Sequence, residues 1–194
     1  MQNYFIFHQV DIDENCGLFK LPEDTEKFSY PVFGKAFGDK LPEKLVFYMA
    51  PEFPGINIPD LVWNAFEYFI VSDKLKKILE VYLEKQQVEY IPCRIINHKG
   101  RVGADNYFVI NIIGSVDCVD LKNTVASPGM RKGYISDIEK LNLFLDKIPR
   151  GMDIFRIKEC PSIIIVSETL KKTLENNNIT GSVLYGLDQD VELE

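Results

Sequence analysis

The sequence predicts an α+β fold with mixed or antiparallel sheets and a duplicated strand–helix–strand unit. A repeat carries this prediction: residues 70–80 read IVSDKLKKILE and residues 165–175 read IVSETLKKTLE, with eight of eleven positions identical. An apolar run precedes and follows each copy, as expected of strands on either side of a helix. The repeated residues are those that build a scaffold, and none of them is a typical catalytic nucleophile-and-base pair.

Each copy contains the signals of a helix N-terminus. Ser72 and Ser167 stand where a strand pattern changes to a helical pattern, and a serine hydroxyl there accepts a hydrogen bond from the first helical turn. Asp73 and Glu168 follow, at the positive end of the helix dipole. We therefore predict that Ser72 and Ser167 are structural N-caps. The paired lysines 76–77 and 171–172 indicate a solvated helix face more than a phosphate site, because they flank an apolar stripe.

The remaining elements are predicted from alternation and from turn residues. Residues 4–12 read as an opening strand, and residues 88–97 and 106–116 read as a hairpin. Six of the ten prolines fall within residues 13–60, which excludes long helices and central strands there apart from a short candidate strand at 45–49.

Two further segments lie before the second repeat. Residues 122–135 contain Ser-Pro-Gly and a second glycine, and they read as a loop. Residues 136–148 fit a helix, with Ser136 and Glu139 as a capping box, but residues 141–145 also alternate like a strand. Residues 153–187 complete the second unit. We expect a proline-rich N-terminal segment with strands, residues 1–60, packed on a duplicated α+β domain, residues 61–194, as one globular domain.

Composition places the chain among soluble globular proteins, with 46% hydrophobic and 26% charged residues over 194 positions. Its N-terminus lacks the basic flank of a signal peptide, and no apolar run reaches the length of a membrane span. These features predict a cytoplasmic location and no membrane partner.

The net charge of −7 is concentrated at the two ends of the chain. Residues 1–30 carry −4, residues 188–194 carry −4, and the stretch between them carries +1. Without a basic excess, nucleic-acid binding is disfavoured. Acidic ends either keep a protein in solution or attract a basic protein partner. If the first and last strands pair, the two clusters would merge into one partner-binding patch formed by Asp11, Asp13, Glu14, Asp188, Asp190 and Glu192.

Reactive side chains form no recognised arrangement in the sequence. The four cysteines lack C-x-x-C spacing, and with two histidines they form no zinc pattern. A Cys93–His98 dyad has no special support, and Asp117 with Asp120 reads as a strand end rather than a paired acid and base. Phosphate-loop, dinucleotide-binding and nucleophile-elbow motifs are also missing from the sequence. We predict no catalytic, cofactor-binding or metal-binding residues and four reduced structural thiols.

Several segments of the chain resemble a known family. The segments VEYIPCRI, NYFVINIIGSVDCVD, DIFRI, IIIVSETLKKTLE and ITGSVLY follow one another in the order seen in a bacterial immunity-protein family of polymorphic toxin systems, once catalogued as a domain of unknown function. The resemblance covers residues 61–187, and residues 1–60 match only in style. It implies a small cytoplasmic protein that binds the C-terminal domain of a cognate toxin and has no catalytic motif.

Two functions of different classes are compatible with these features. The first is an immunity protein that neutralises a cognate toxin domain, expected to be basic, by occluding it. The alternative is an enzyme or small-ligand-binding protein with an unrecognised site between the two repeat halves, since clefts between duplicated halves are common ligand sites.

Overall fold

The computed structural model describes residues 3–20, 29–40 and 43–189. Within these residues the chain forms eleven strands and three α-helices. The strands are β1 (Tyr4–Gln9), β2 (Cys16–Lys20), β3 (Leu45–Pro54), β4 (Ile70–Ser72), β5 (Val88–Ile96), β6 (Val102–Ile112), β7 (Val125–Pro128), β8 (Ile135–Lys140), β9 (Ile154–Arg156), β10 (Ile164–Ser167) and β11 (Ser182–Gly186). The helices are α1 (Ser29–Val32), α2 (Asp73–Leu83) and α3 (Glu168–Asn176).

The strands form three sheets. The largest has the order β2-β3-β5-β6-β4 and is mixed, because β3 runs parallel to β5 while the other pairs are antiparallel. The second has the order β11-β1-β10-β9 and is antiparallel, and β7 pairs with β8 in a separate hairpin. The expected combination of α and β elements with mixed and antiparallel sheets is thus confirmed as a strand-rich fold.

The two repeated segments lie in different sheets. In each, a short strand ends at the N-cap serine and leads into a helix, β4 into α2 and β10 into α3. In each, the strand after the helix returns to the same sheet but does not pair with the strand before it, because one antiparallel strand lies between them. The two sheets differ in strand number and order, so the architecture as a whole shows no evident duplication.

The intervening strands, β6 in the large sheet and β1 in the second, share a short sequence. Asn-Tyr-Phe followed by apolar residues occurs at 106–108 within β6 and at 3–5, where Asn3 immediately precedes β1. The registers agree as well, since Ser72 lies opposite Tyr107 and Ser167 lies opposite Tyr4. β6 follows its helix in the chain, whereas β1 precedes its helix. The two Asn-Tyr-Phe segments are therefore not separated by the 95 residues that separate the other repeated segments.

Strands β1, β2 and β3 of the N-terminal segment are built into the two larger sheets. β1 lies between β10 and β11, and β3 lies between β2 and β5. The described part of the proline-rich segment therefore contains more strand than expected: β2 was not predicted, and β3 extends beyond the predicted residues 45–49. The two prolines of β3, Pro51 and Pro54, lie past the residues that pair with β5, and Pro54 stands opposite Cys16 of the edge strand β2.

The interpretation of residues 122–148 was partly wrong. Residues 125–128, expected in a loop, pair as β7 with β8, and Ser136 and Glu139 lie within β8 rather than in a capping box. Neither alternative is right as it stands, because the strand covers residues 135–140 rather than 141–145 and a 3₁₀ turn, Leu145–Lys147, follows it. Tertiary structure overrides the helical spacing of these residues. Residues 135–140 pair with β7 as a strand, and Ile138 and Leu141 are buried in a core cluster beneath the second sheet.

Both longer helices pack on one shared core. Buried leucines of α2 and α3 meet apolar residues from both larger sheets there, including Phe7, Ile112 and Val166. The Tyr82 hydroxyl lies 2.7 Å from the Thr173 hydroxyl, which joins the two helices directly. Each fully buried leucine stabilises the fold by roughly 1.5–3 kcal/mol relative to an exposed one.

Candidate partner-binding surface

The first and last described strands pair, but their direction separates the two acidic clusters. β1 runs antiparallel to β11, with Phe5 opposite Gly186 and Gln9 opposite Ser182. Asp11 therefore follows one end of the strand pair and Asp188 follows the other, with about six residues of strand, or ~20 Å, between them.

The expected merged acidic patch is thus wrong for the described residues. The side chains of Asp11, Asp13, Glu14 and Asp188 are exposed, as required of rim charges, but they occupy two separate places. Asp190 and Glu192 lie outside the described residues. The first cluster, Asp11, Asp13 and Glu14, lies in the loop that connects β1 to β2.

A group of aromatic side chains lies on the outer face of β2 and β3. The rings of Phe19 and Phe53 stack with centroids 6.3 Å apart, and Phe53 packs against Trp63 at 4.6 Å. Alternation along the strands produces this face, because Cys16 and Leu18 point into the core while Phe19 points outward and is 56% exposed. Tyr48, between two buried residues of β3, is 46% exposed on the same principle.

Gly17 makes room for the centre of this group. A Cβ atom at position 17 would lie 2.6 Å from Cγ of Phe53, which is closer than real contacts allow. The Phe53 ring therefore rests directly on the backbone of β2. A glycine in a strand commonly marks such a close approach, and here the approach holds an aromatic ring partly out of the solvent.

The first acidic cluster adjoins the aromatic group through the end of β3. The N–H of Asn57 donates to the carbonyl of Glu14 at 3.1 Å, and a Cβ at Gly55 would collide with the backbone of Asn15. Ile56, in this connection, is 76% exposed, and Ile12 is 43% exposed. We refer to this region as the aromatic–acidic surface, defined by Ile12, Phe19, Tyr48, Phe53, Ile56 and Trp63 with Asp11, Asp13 and Glu14.

This surface has the chemistry of a protein-binding site. Exposed apolar patches rimmed by polar residues mark interaction surfaces, and aromatic anchors dominate binding energy once they are desolvated. The acids at its margin would attract a basic partner and raise the rate of encounter. The sequence indicated the acidic residues but not the aromatic ones. Because β2 was not predicted, the alternation that turns Phe19 outward could not be inferred.

A second exposed apolar feature lies at the tip of the β7–β8 hairpin. Met130 is fully exposed, and Arg131 lies 4.9 Å from the centroid of the Phe33 ring, which meets Tyr134 edge-on. Arg131 and Lys132 make this tip basic. It therefore complements a basic partner less well than the aromatic–acidic surface does.

A small cavity and a larger open depression are lined by residues of both repeat halves. The cavity lined by Phe7, Tyr68 and Ile164 measures about 30 Å³. A water molecule occupies a volume of this order, whereas ligand pockets measure roughly 300–1,000 Å³. The alternative hypothesis of a small-molecule site therefore finds no room in this cavity, whereas the open depression lined by Asp60, Lys74 and Asn177 measures about 730 Å³.

The four cysteine thiols are buried, and each histidine stands in a different part of the chain. All four cysteines are free and buried, and burial raises the pKa of Cys16 to about 11 and that of Cys118 to about 12. His98 contacts the Gly55 carbonyl at 3.1 Å, and burial lowers the pKa of His8. Among the described residues no cluster of histidine, cysteine and carboxylate side chains could hold a metal ion. None of the described helices has the length and apolar content required to cross a membrane.

Comparison with known proteins extends the resemblance seen in the sequence. A search of curated proteins finds no match. The immunity protein family Imm11 matches residues 8–188, so the match extends over β2, β3 and the end of β1, beyond the residues 61–187 that carry the resemblance. The chain therefore belongs to the Imm11 immunity protein family.

Proposed function

We propose that this protein binds the C-terminal domain of a cognate bacterial toxin and neutralises it by occluding its active site. Membership of the immunity protein family supports this proposal. The observation that carries it is the aromatic–acidic surface, which combines half-exposed aromatic rings with three exposed carboxylates.

The charges indicate which kind of toxin surface fits. Asp11, Asp13 and Glu14 stand at one margin of the aromatic group and would meet lysine or arginine side chains of the toxin. Such rim charges act mainly on the association rate, while buried aromatic anchors set the dissociation rate. We expect a basic toxin domain without nucleic acid, membrane or cofactor in the complex.

Occlusion requires one immunity protein for each toxin domain. Expression of the toxin domain encoded beside this chain should arrest growth, and co-expression of the chain should restore it. In a titration of toxin activity, inhibition should reach completion at about one equivalent, because each bound copy blocks one active site. A trace amount that removes a large excess of toxin activity would show a catalytic antidote and contradict the proposal.

The surface itself is tested with matched variants. A Phe19→Ala, Tyr48→Ala double variant should weaken toxin binding by about tenfold or more, since aromatic hot spots contribute at least about 2 kcal/mol. Phe144→Ala is the control, because Phe144 is 38% exposed and lies outside the surface. Equal affinities of the double variant and the control, with unchanged melting, would place the toxin elsewhere, with the basic β7–β8 tip as the next surface to examine.

We further propose that the two strand–serine–helix segments derive from a duplicated unit and that residues 1–60 and 61–194 form one folded domain. The matching registers of β6 and β1 support the first part. Sharing of both larger sheets by N-terminal and later strands supports the second. The protein would act in the cytoplasm of the toxin-producing cell, where a newly made toxin must be blocked.

A further inference from the structure

The four outer edges of the two larger sheets are not equally protected. Outside β2, Leu18 exchanges backbone hydrogen bonds with residues 63 and 65. Outside β4, the N–H of Val62 donates to the Ile70 carbonyl, and outside β9 the N–H of Val116 donates to the Arg156 carbonyl. Three edges are thus covered by neighbouring segments of the same chain.

The outer edge of β11 is open. The N–H of Val10 donates to the Gly181 carbonyl, and the alternating pattern that follows turns the backbone groups of residues 182 and 184 away from β1. No hydrogen bond formed by these two residues reaches a partner on that side in the described part of the chain. The outward residues on either side are closed: the Thr180 carbonyl accepts from the N–H of Leu61, and the N–H of Gly186 donates to the amide side chain of Gln189.

The sequence of β11 carries none of the usual protection of an edge strand. Natural edges are blocked by lysines, prolines or bulges, which prevent another strand from pairing. β11 reads Ser-Val-Leu-Tyr-Gly, with no charge, no proline and a regular register against β1. All five of its residues are half-buried, so none of them projects a large exposed side chain across the edge.

Acidic residues stand beyond both ends of this edge. Asp11 follows Val10, which is bonded to the residue before β11, and Asp188 comes two residues after β11 ends. Because β1 and β11 are antiparallel, Asp11 and Asp188 do not form one patch. They lie instead near opposite ends of the open edge. The same connection carries Asp13 and Glu14 and continues into the aromatic–acidic surface.

We infer that the outer edge of β11 binds an extended segment of the toxin domain, which adds a fifth strand to the β11-β1-β10-β9 sheet. The inference rests on the proposed function and names the binding mode of the toxin. The added strand would pair with the free backbone groups of residues 182 and 184 and would carry basic residues near its ends, complementary to Asp11 and Asp188. Strand addition is held by backbone hydrogen bonds and therefore tolerates many sequences in the added strand. The flanking charges and the aromatic–acidic surface would supply the specificity for the cognate toxin.

A proline substitution tests this mode of binding without breaking the existing sheet. Leu184→Pro removes an N–H that points outward, whereas the bonds to β1 come from residues 183 and 185. Leu184→Ala is the matched control, because it loses the same packing of the leucine side chain and keeps the N–H. Leu184→Pro should bind the toxin domain encoded beside this chain about tenfold or more weakly than Leu184→Ala. Equal affinities of the two folded variants would overturn the inference.

Hydrogen exchange of the unaltered protein gives an independent result if the proline variant does not fold. The amides of Ser182 and Leu184 should exchange rapidly in the free protein and become protected in the toxin complex, while Val183 is protected in both. A complex that forms without protecting these two amides would overturn the strand addition and leave the proposed function intact. Absence of any complex would contradict the proposed function itself.

Discussion

The Ser72 hydroxyl donates to Oδ1 of Asp60 at 2.6 Å while it accepts the N–H of Leu75 at the start of α2. A backbone bond accompanies this contact, since the N–H of Ser72 donates to the Asp60 carbonyl. The second unit repeats the arrangement with Ser167 and Asp153, where both the hydroxyl and the N–H of the serine have the same kinds of partner. Each cap therefore fixes a helix and a preceding segment at once.

Removal of either cap should cost stability but not binding. Ser72→Ala and Ser167→Ala each leave a first-turn N–H without its side-chain acceptor and remove one hydrogen bond to an aspartate, so the free energy of unfolding should fall by about 1–2 kcal/mol. Chemical denaturation measures this change. Toxin affinity should stay within a factor of about two of the unaltered protein. A large loss of affinity with unchanged stability would instead place a serine in the binding site.

Asp60 should make stability depend on acidity. Burial alone would raise its pKa, but hydrogen bonds from Ser72, Thr180 and Lys74 outweigh this effect, and the pKa of Asp60 is lowered. A carboxyl whose folded pKa lies below its unfolded value of about 3.9 stabilises the fold above that pH, and this contribution is lost as the pH falls toward the folded pKa.

Denaturation of Asp60→Asn across pH therefore tests this contribution. The difference in unfolding free energy between the unaltered protein and Asp60→Asn should be largest near neutral pH and should shrink below about pH 4. Ser72→Ala, which removes one of the bonds that lower the pKa, should show a weaker pH dependence than the unaltered protein. Parallel curves for all three proteins would contradict this role of Asp60.

The local parts of the fold follow from the sequence because short-range chemistry sets them. The serine caps, the helices after them and the turn between β5 and β6 depend on neighbouring residues alone. The partner strands depend on long-range packing instead. Strand β2 contains Gly17, which weakens a strand signal, and only the contact with Phe53 explains the glycine.

The hydrogen-bond partners of buried polar side chains could not be predicted from the sequence either. Arg156 is almost completely buried, and its guanidinium donates to the carbonyls of Ile112, Val32 and Pro161 from three separate segments. Burial lowers the pKa of Arg156 to about 10. In the sequence this residue stands within an apolar strand pattern, which gives no sign of partners 44 and 124 residues away.

The acidic residues should contribute to toxin binding as two independent groups. Asp11→Asn, Asp13→Asn and Glu14→Gln together should slow association more than they speed dissociation, and the effect should shrink as salt rises. Because ~20 Å separates them from Asp188, the effects of the triple variant and of Asp188→Asn on the association free energy should add.

A charge-matched variant separates this local effect from net charge. Glu84→Gln, Glu139→Gln and Asp146→Asn remove three exposed carboxylates that make no ion pair within the described residues. Stopped-flow association at two salt concentrations should show little change for this control. An equal slowing by both triple variants would mean that net charge, rather than the cluster at residues 11–14, attracts the toxin.

The cysteines should be unreactive in the folded protein. All four are buried as free thiols, and burial raises the pKa of each, so little thiolate forms near neutral pH. A thiol reagent such as Ellman's should therefore label the native protein slowly and should label four thiols after denaturation. Rapid labelling of one cysteine in the native state would reveal a local opening that exposes it.

Gly17 links the stability of β2 to the aromatic–acidic surface. In Gly17→Ala the new methyl group would lie 2.6 Å from Cγ of Phe53, so the ring must leave its place between Phe19 and Trp63. We expect a loss of about 1–3 kcal/mol in stability, the usual cost of overpacking, together with weaker toxin binding.

A double-mutant cycle identifies the cause of this loss. If the clash with the ring is responsible, Gly17→Ala should cost much less in a Phe53→Ala background, because no ring remains to be displaced. In that background Gly17→Ala would even raise the free energy of unfolding slightly, because a strand intrinsically favours alanine over glycine. Equal costs of Gly17→Ala in both backgrounds would show that the backbone of β2, rather than the contact with Phe53, requires a glycine at position 17.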